Sequence, residues 1–172
     1  MTGTNAPLSS IEKPASRHSV EGFECGKPPL DQFLKRFALG NQTSGSTQTY
    51  VVCRGAERVV GYYSLSVGAV DHANAPDRVR KGLANHPIPV MLIARLAIDH
   101  SEQGRGLGLA LLKNALLRTV QAADIAGIRA LLVHAKDDEA RRWYLNLDFE
   151  ASPSDPYHLL LLMKDVRAIL TR

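Results

Sequence analysis

Three glycines lie close together in the segment Gln103-Gly104-Arg105-Gly106-Leu107-Gly108. Because glycine has no Cβ, backbone N–H groups in such a segment can approach a ligand closely. The residues that follow have a helical apolar pattern, and a helix N-terminus adds unpaired N–H donors and a partial positive charge. The segment is therefore suited to bind an anion, and a pyrophosphate is the expected ligand.

Two familiar phosphate loops do not fit this segment. A Walker loop ends in Gly-Lys-Ser/Thr, whereas Gly108 is followed by Leu109 and Ala110. The dinucleotide fingerprint G-x-G-x-x-G has a longer last gap and opens a first βα turn, whereas these glycines lie past mid-chain. On these six residues alone, a glycine-rich turn with a helix cap and no ligand stays an open alternative.

The elements around the segment follow from the apolar periodicity. An apolar strand is predicted over 89–98 and a long helix over 106–126. Leu30, Phe33, Leu34 and Phe37 predict a short amphipathic helix near the N-terminus, and a polar connection with basic residues spans 71–86. The other predicted elements are strands at 49–53, 59–67, 128–134 and 157–163 and helices at 137–147 and 164–170. This order predicts an α/β sheet with mixed strand directions.

Composition limits the class of protein. The chain has 172 residues, 22% of them charged and 45% hydrophobic, which predicts one globular domain over residues 1–172, with 1–20 as a mobile lead-in. No apolar run is long enough to span a membrane, and we expect a cytoplasmic protein. Two cysteines are too few for a disulfide framework or a zinc site, so no metal is expected. The net charge of +4 is compatible with a nucleic-acid partner.

Two motifs resemble the GNAT acetyltransferases. Gln103, Gly106 and Gly108 match the Gln/Arg-x-x-Gly-x-Gly/Ala loop that holds the pyrophosphate of acetyl-CoA in that family. The segment 140–149 resembles the family's Ala-x-x-Phe/Tyr-Tyr-x-x-x-Gly-Phe motif, although Asp148 replaces the glycine. Aspartate tolerates left-handed backbone, so the turn can survive. The resemblance implies the GNAT fold, a mixed central sheet splayed at the acetyl-CoA site and flanked by helices.

A narrower resemblance comes from the N-terminal half. Phe23-Glu24-Cys25-Gly26, Leu30-Asp31-x-Phe33-Leu34 and Gly45-Ser46-x-x-Thr49-Tyr50-Val51-Val52 are similar to acetyltransferase toxins of bacterial type II toxin–antitoxin modules. The resemblance implies transfer of acetyl from acetyl-CoA to the α-amine of aminoacyl-tRNA, which blocks translation. It also implies charged tRNA as acceptor, a ribbon-helix-helix antitoxin and a homodimer.

Site residues follow from the same resemblance. Tyr144 is expected to donate a proton to the departing CoA thiolate, and packing in the core is its alternative role. No side chain stands out as a general base, and an α-amine, with a pKa of about 8, is partly unprotonated at neutral pH without one. The residues expected to bind the cofactor, acetyl-CoA, are Leu96, Ala97, Ile98, Gln103, Gly104, Arg105, Gly106, Leu107 and Gly108.

Basic residues supply the candidates for contact with tRNA, and solvated surface is their alternative role. These candidates are Lys35, Arg36, Arg78, Arg80, Lys81, Arg95, Arg141 and Arg142. Three other functions stay open. A GNAT enzyme for a small amine or a protein N-terminus would need no extended basic surface. A non-catalytic GNAT-fold module would not need Tyr144, and a DNA-binding protein would need a helix-turn-helix or zinc spacing that the sequence lacks.

Overall fold

The first helical region begins at a proline and ends at a glycine, which are typical residues for the start and the end of a helix. The computed structural model describes residues 6–171. Helix α1, Pro28–Gln32, begins with proline in its first turn and continues through a π-helical turn, Phe33–Phe37, into α2, Ala38–Ser44. Gly45 ends α2 with a left-handed φ of 78°. The predicted apolar face is wrong at Phe37, which is 53% exposed, because a π-helical turn departs from the α-helical spacing of apolar positions.

Six strands form a mixed sheet in the order β1-β2-β3-β4-β6-β5. Strand β1 pairs antiparallel with β2, and β6 pairs antiparallel with both β4 and β5, whereas β3 and β4 run parallel. The mixed α/β architecture is thereby confirmed, while the splay of the sheet stays a prediction. The strands are β1 Gln48–Arg54, β2 Arg58–Val70, β3 Ile88–Ile98, β4 Ala130–His134, β5 Glu150–Ser152 and β6 Asp155–Leu162. The other helices are α3 Asp77–Arg80, α4 Leu107–Ala123, α5 Asp138–Leu145 and α6 Met163–Leu170.

The described chain forms two compact units. The first contains the residues up to Ser66 together with Arg95–Ala115. Its core includes Phe23, Phe33, Val51, Tyr62 and Ala97. A Cβ at Gly61 would lie 3.0 Å from a methyl of Leu111 and 3.1 Å from one of Val52, so only glycine allows this close packing. The register of β1 and β2 shifts between Val52 and Cys53, opposite Gly61, so the ladder is irregular at this glycine.

The N-terminal segment of this unit differs from the expected mobile lead-in. Isolated bridges join Leu8 to Arg54, Glu12 to Val51 and Ser19 to Arg58. The Glu12 and Val51 backbones exchange hydrogen bonds of 2.9 and 2.7 Å. The sequence did not show these bridges because they rest on backbone groups of β1 and of the start of β2 rather than on a periodic side-chain pattern. Residues 1–5 of the expected lead-in lie outside the described residues.

The second unit contains Val67–Ala94 and the residues from Leu116 onward. Strand β4 lies between β3 and β6, with Val90 opposite Ala130 and Leu132 opposite Leu160. All four side chains belong to the core of this unit, where β4 is buried along most of its length. Within the described residues, no helix has the length and apolar character needed to cross a membrane.

Candidate active site

The glycine-rich segment leads into α4 with its backbone open. Gly104 and Gly106 have left-handed φ values of 76° and 86°. Apart from each glycine and its two chain neighbours, no described residue has a heavy atom within 4 Å of where their Cβ atoms would be. The first N–H groups of a helix have no intrahelical acceptor. Helix α4 begins at Leu107, so Leu107 and Gly108 present such donors directly after the two glycines. This arrangement fits a pyrophosphate.

Gln103 holds this segment in place. Its amide nitrogen donates to the carbonyl oxygens of Cys25 and Ile98, each at 2.9 Å. The side chain thus ties the end of β3 to the segment before α1. The structure therefore gives the Gln103 amide nitrogen a positioning role, whereas the sequence grouped the residue with those that contact the cofactor.

An ion pair supports the turn that precedes the glycines. Glu102 is 2% exposed, and its carboxylate accepts hydrogen bonds of 2.6 and 3.2 Å from the guanidinium of Arg54, at the end of β1. Arg54 also donates to the carbonyl of Ala6 at 2.9 Å. Arg105 lies further out, 3.5 Å from Glu102, with 57% of its side chain exposed. Sequence reasoning missed Glu102 because its partner is 48 positions away.

Asp99 orders the backbone between β3 and this turn. Its carboxylate accepts hydrogen bonds from the Ser101 N–H and hydroxyl and from the Glu24 N–H. Burial alone would raise the pKa of Asp99, but these hydrogen bonds and the charge of Arg58 outweigh burial and lower the pKa. The carboxylate therefore stays ionised and fixes the approach to the glycines.

The end of β3 carries three of the residues expected to bind acetyl-CoA. Ala97 is buried in the core of the first unit, while Leu96 and Ile98 are half-buried. Arg95 precedes them and stacks its guanidinium over the Phe33 ring, 3.7 Å from the centroid. This cation–π contact holds Arg95 against the π-helical turn, so one face of its guanidinium is covered and not available to tRNA.

Tyr144 is buried on α5 in the second unit, among aromatic side chains. Its ring makes edge contacts with Trp143 and Phe149 at centroid distances of 4.9 and 5.2 Å. Burial raises the pKa of the Tyr144 phenol above its ordinary value. The hydroxyl makes no hydrogen bond to any residue that the structure describes. Asp148 has a left-handed φ of 70°, which confirms that aspartate supports this turn in place of glycine.

The basic candidates divide into paired and unpaired groups. Arg78 forms ion pairs with Glu150 and Asp165 at 2.9 and 2.7 Å, and hydrogen bonds from its guanidinium to both carboxylates raise its pKa. Arg80 pairs with Asp77, and Arg141 donates to the carbonyl of Pro156. Six of the eight candidates form no ion pair with any of residues 6–171: Lys35, Arg36, Lys81, Arg95, Arg141 and Arg142.

Comparison with known proteins defines the class. Residues 46–151 match the model of the acetyltransferase (GNAT) domain family, and the chain belongs to this family. Acetyl-CoA is thus its co-substrate, and the chain is an acetyltransferase.

Three relatives show where the chain falls within the family. The tRNA-acetylating toxin of Mycobacterium tuberculosis (strain ATCC 25618 / H37Rv) is 50% identical over 170 residues, which cover 99% of both chains. The chain is 26% identical in sequence to AtaT, solved in complex with acetyl-methionyl-tRNAfMet. The two structures superpose with a TM-score of 0.87, and the match covers 95% of this chain and 99% of AtaT. A tyrosine-to-phenylalanine mutant of AtaT has been solved bound to the C-terminus of the antitoxin AtaR and to acetyl-CoA. It is 26% identical in sequence to this chain, and the structures superpose with a TM-score of 0.82 over 96% of this chain and 99% of the mutant.

Proposed function

We propose that this acetyltransferase is a toxin that transfers acetyl from acetyl-CoA to the α-amine of an amino acid carried on charged tRNA, and thereby blocks translation. The observation that carries the proposal is the 50% identity to the tRNA-acetylating toxin across nearly the whole length of both chains. The AtaT complex with acetyl-methionyl-tRNAfMet supports it, because the acetyl group there is on an aminoacyl-tRNA. This reaction takes place in the cytoplasm, where charged tRNA is found.

The open backbone at Gly104 and Gly106 and the first N–H groups of α4 would hold the pyrophosphate of acetyl-CoA. Acetyl-CoA supplies an acetyl group activated as a thioester. Backbone N–H groups at Leu96, Ala97 and Ile98 would polarise the carbonyl as the amine forms the new C–N bond. An α-amine has a pKa of about 8, so a sufficient fraction of it carries a free lone pair without a dedicated base.

Tyr144 would donate its proton to the sulfur as the C–S bond breaks. Two observations support this role: burial keeps the phenol protonated, and its hydroxyl is not committed to another group among residues 6–171. The proton lost by the attacking amine goes to solvent, and the Tyr144 phenolate takes up a proton from solvent before the next turnover. The products are N-acetyl-aminoacyl-tRNA and free CoA.

The partners follow from the same proposal. An antitoxin of the ribbon-helix-helix class would neutralise the chain, and AtaT has been solved with the C-terminus of its antitoxin. We propose that the chain acts as a single GNAT domain and forms a homodimer. Sedimentation equilibrium should then give twice the protomer mass of 18.8 kDa, whereas a mass of one protomer at micromolar concentration would contradict the dimer.

A cell-free translation system tests the toxin activity. Purified protein with acetyl-CoA should stop synthesis from an added message, and the same protein without acetyl-CoA should not. Fresh charged tRNA added after removal of the enzyme should restore synthesis, because the proposed target is the acceptor and not the ribosome. Continued synthesis in the presence of protein and acetyl-CoA would contradict the proposal.

A further inference from the structure

A cavity in the second unit is lined by cations that the proposed chemistry does not use. It has a volume of about 380 Å³ and lies beside the start of β4, where α3 and the junction of β6 with α6 border it. Its basic lining residues are Arg78, Lys81, Arg129 and Lys164, and its apolar lining includes Ile128 and Leu162. Arg129 and Lys164 were not among the basic candidates that the sequence suggested.

Three of these cations lack an acidic partner. Arg78 is neutralised by Glu150 and Asp165, so it adds little net charge to the cavity. Lys81, Arg129 and Lys164 form no ion pair within the described part of the chain. A group of three uncompensated cations around a cavity repels itself, and an anion that enters relieves this repulsion.

Arg129 is held rigidly at this cavity. Its guanidinium donates to the carbonyls of Val79, Lys81 and Arg78 at 2.8, 3.2 and 3.4 Å, all at the end of α3. These bonds use Nε and Nη2, and Nη1 makes no hydrogen bond to any residue that the structure describes. A guanidinium fixed in this way offers its remaining N–H donors without further loss of conformational freedom.

The form of the cavity favours a phosphate over a peptide. An acidic peptide commonly docks by adding a strand to a free sheet edge or by laying a helix in an apolar groove. Here β4 is already paired on both sides, by β3 and β6, so it offers no free edge. An arginine with two lysines is a usual set of contacts for phosphate, and the apolar wall of Ile128 and Leu162 suits the sugar of a nucleotide.

We propose that this cavity is a subsite for the phosphate backbone of the acceptor tRNA, with Arg129 as its fixed donor and Lys81 and Lys164 as its movable charges. The inference rests on the proposed function, because it takes charged tRNA as the polyanion. It assigns tRNA contact to Arg129 and Lys164 and keeps Lys81 among the contacts. It removes Arg78, whose charge is already satisfied.

The test compares three variants for binding of total charged tRNA over a range of KCl concentrations. The double variant Lys81→Gln/Lys164→Gln should bind more weakly, and the slope of log K against log[KCl] should fall by about two, one for each lost phosphate contact. Lys81→Arg/Lys164→Arg keeps both charges and should retain the parental slope. Lys136→Gln is the matched control, because it removes an exposed lysine beyond the other end of β4.

Acetyl-CoA also carries phosphate, so its affinity for the double variant is measured by calorimetry and should be unchanged. A parental slope in the double variant would overturn the inference. So would an equal loss in Lys136→Gln, which would indicate a general charge effect, or a loss of acetyl-CoA or antitoxin affinity in place of tRNA affinity. Absence of tRNA binding and acetylation by the parent protein would instead overturn the proposed function, and the inference with it.

Discussion

At the scale of single residues, Tyr144 carries the most specific chemical role. We expect Tyr144→Phe to lower the rate of acetyl transfer to charged tRNA by about 10²–10⁴-fold, the usual contribution of general acid catalysis. Folding should be retained, because the variant keeps the ring that contacts Trp143 and Phe149. Single-turnover transfer of labelled acetyl measures the rate.

The matched control for this variant is Tyr157→Phe. Tyr157 is an exposed tyrosine of the same unit whose hydroxyl donates to Asp138, so its removal costs a surface hydrogen bond and no proposed chemistry. It should act at close to the parental rate. If Tyr144→Phe also acts at the parental rate, Tyr144 is a core aromatic residue and another group protonates the thiolate.

Gly106 tests the cofactor loop at the same scale. Gly106→Val should weaken acetyl-CoA binding more than tenfold, or about 1.4 kcal/mol, because a side chain there would occupy the space of the pyrophosphate. Gly45→Val is the control for backbone strain, since Gly45 has a similar φ of 78° and equally open surroundings. Calorimetry that shows equal acetyl-CoA affinity for the folded Gly106→Val variant and the parent would refute this role.

The residue types in the sequence predicted the backbone turns of the site better than they predicted its hydrogen bonds. The left-handed turns at Gly106 and Asp148 could be anticipated because few residues tolerate that backbone. The bonds from Gln103 to Cys25 and Ile98 could not, since their acceptors are backbone carbonyls that carry no sequence signal. A motif match therefore located Gln103 without showing what its side chain does.

At the scale of elements, the pair of Arg54 with Glu102 joins the end of β1 to the turn before α4. Glu102→Gln leaves the guanidinium of Arg54 without its counter-charge, and loss of one partner of a buried pair is strongly destabilising. We expect a lower urea midpoint and weaker acetyl-CoA binding. The exposed Glu57→Gln control should change the free energy of unfolding by no more than about 0.5 kcal/mol. Equal midpoints for the two variants would contradict a supporting role for the pair.

The elements themselves were largely predictable where a periodic pattern exists. Strand β3 and helix α4 lie within a few residues of their predicted bounds because their apolar positions repeat regularly. Strand β5 has only three residues and was not predicted. The π-helical turn at Phe33–Phe37 was also missed, because an added backbone residue leaves no mark in the pattern of side chains.

At the scale of the whole molecule, the net charge did not indicate which basic residues would be available to contact tRNA. The sequence shows that Arg78, Arg80 and Lys81 are neighbours, but not that Arg78 reaches Glu150 and Asp165, 72 and 87 positions away. Only the folded chain separates neutralised cations from those free to contact phosphate. The proposed tRNA subsite therefore includes Arg129, which no cluster of basic residues in the sequence marks out.

The chemical position of the transferred acetyl group distinguishes a tRNA-acetylating toxin from the other kinds of acetyltransferase. Total charged tRNA is incubated with the protein and labelled acetyl-CoA, then digested to 3′-terminal aminoacyl-adenosines for mass spectrometry. We expect one or a few aminoacyl species acetylated at the α-amine, and none when the tRNA is first deacylated. Label found instead on a free small amine, on a protein N-terminus or on the nucleotides themselves would contradict it.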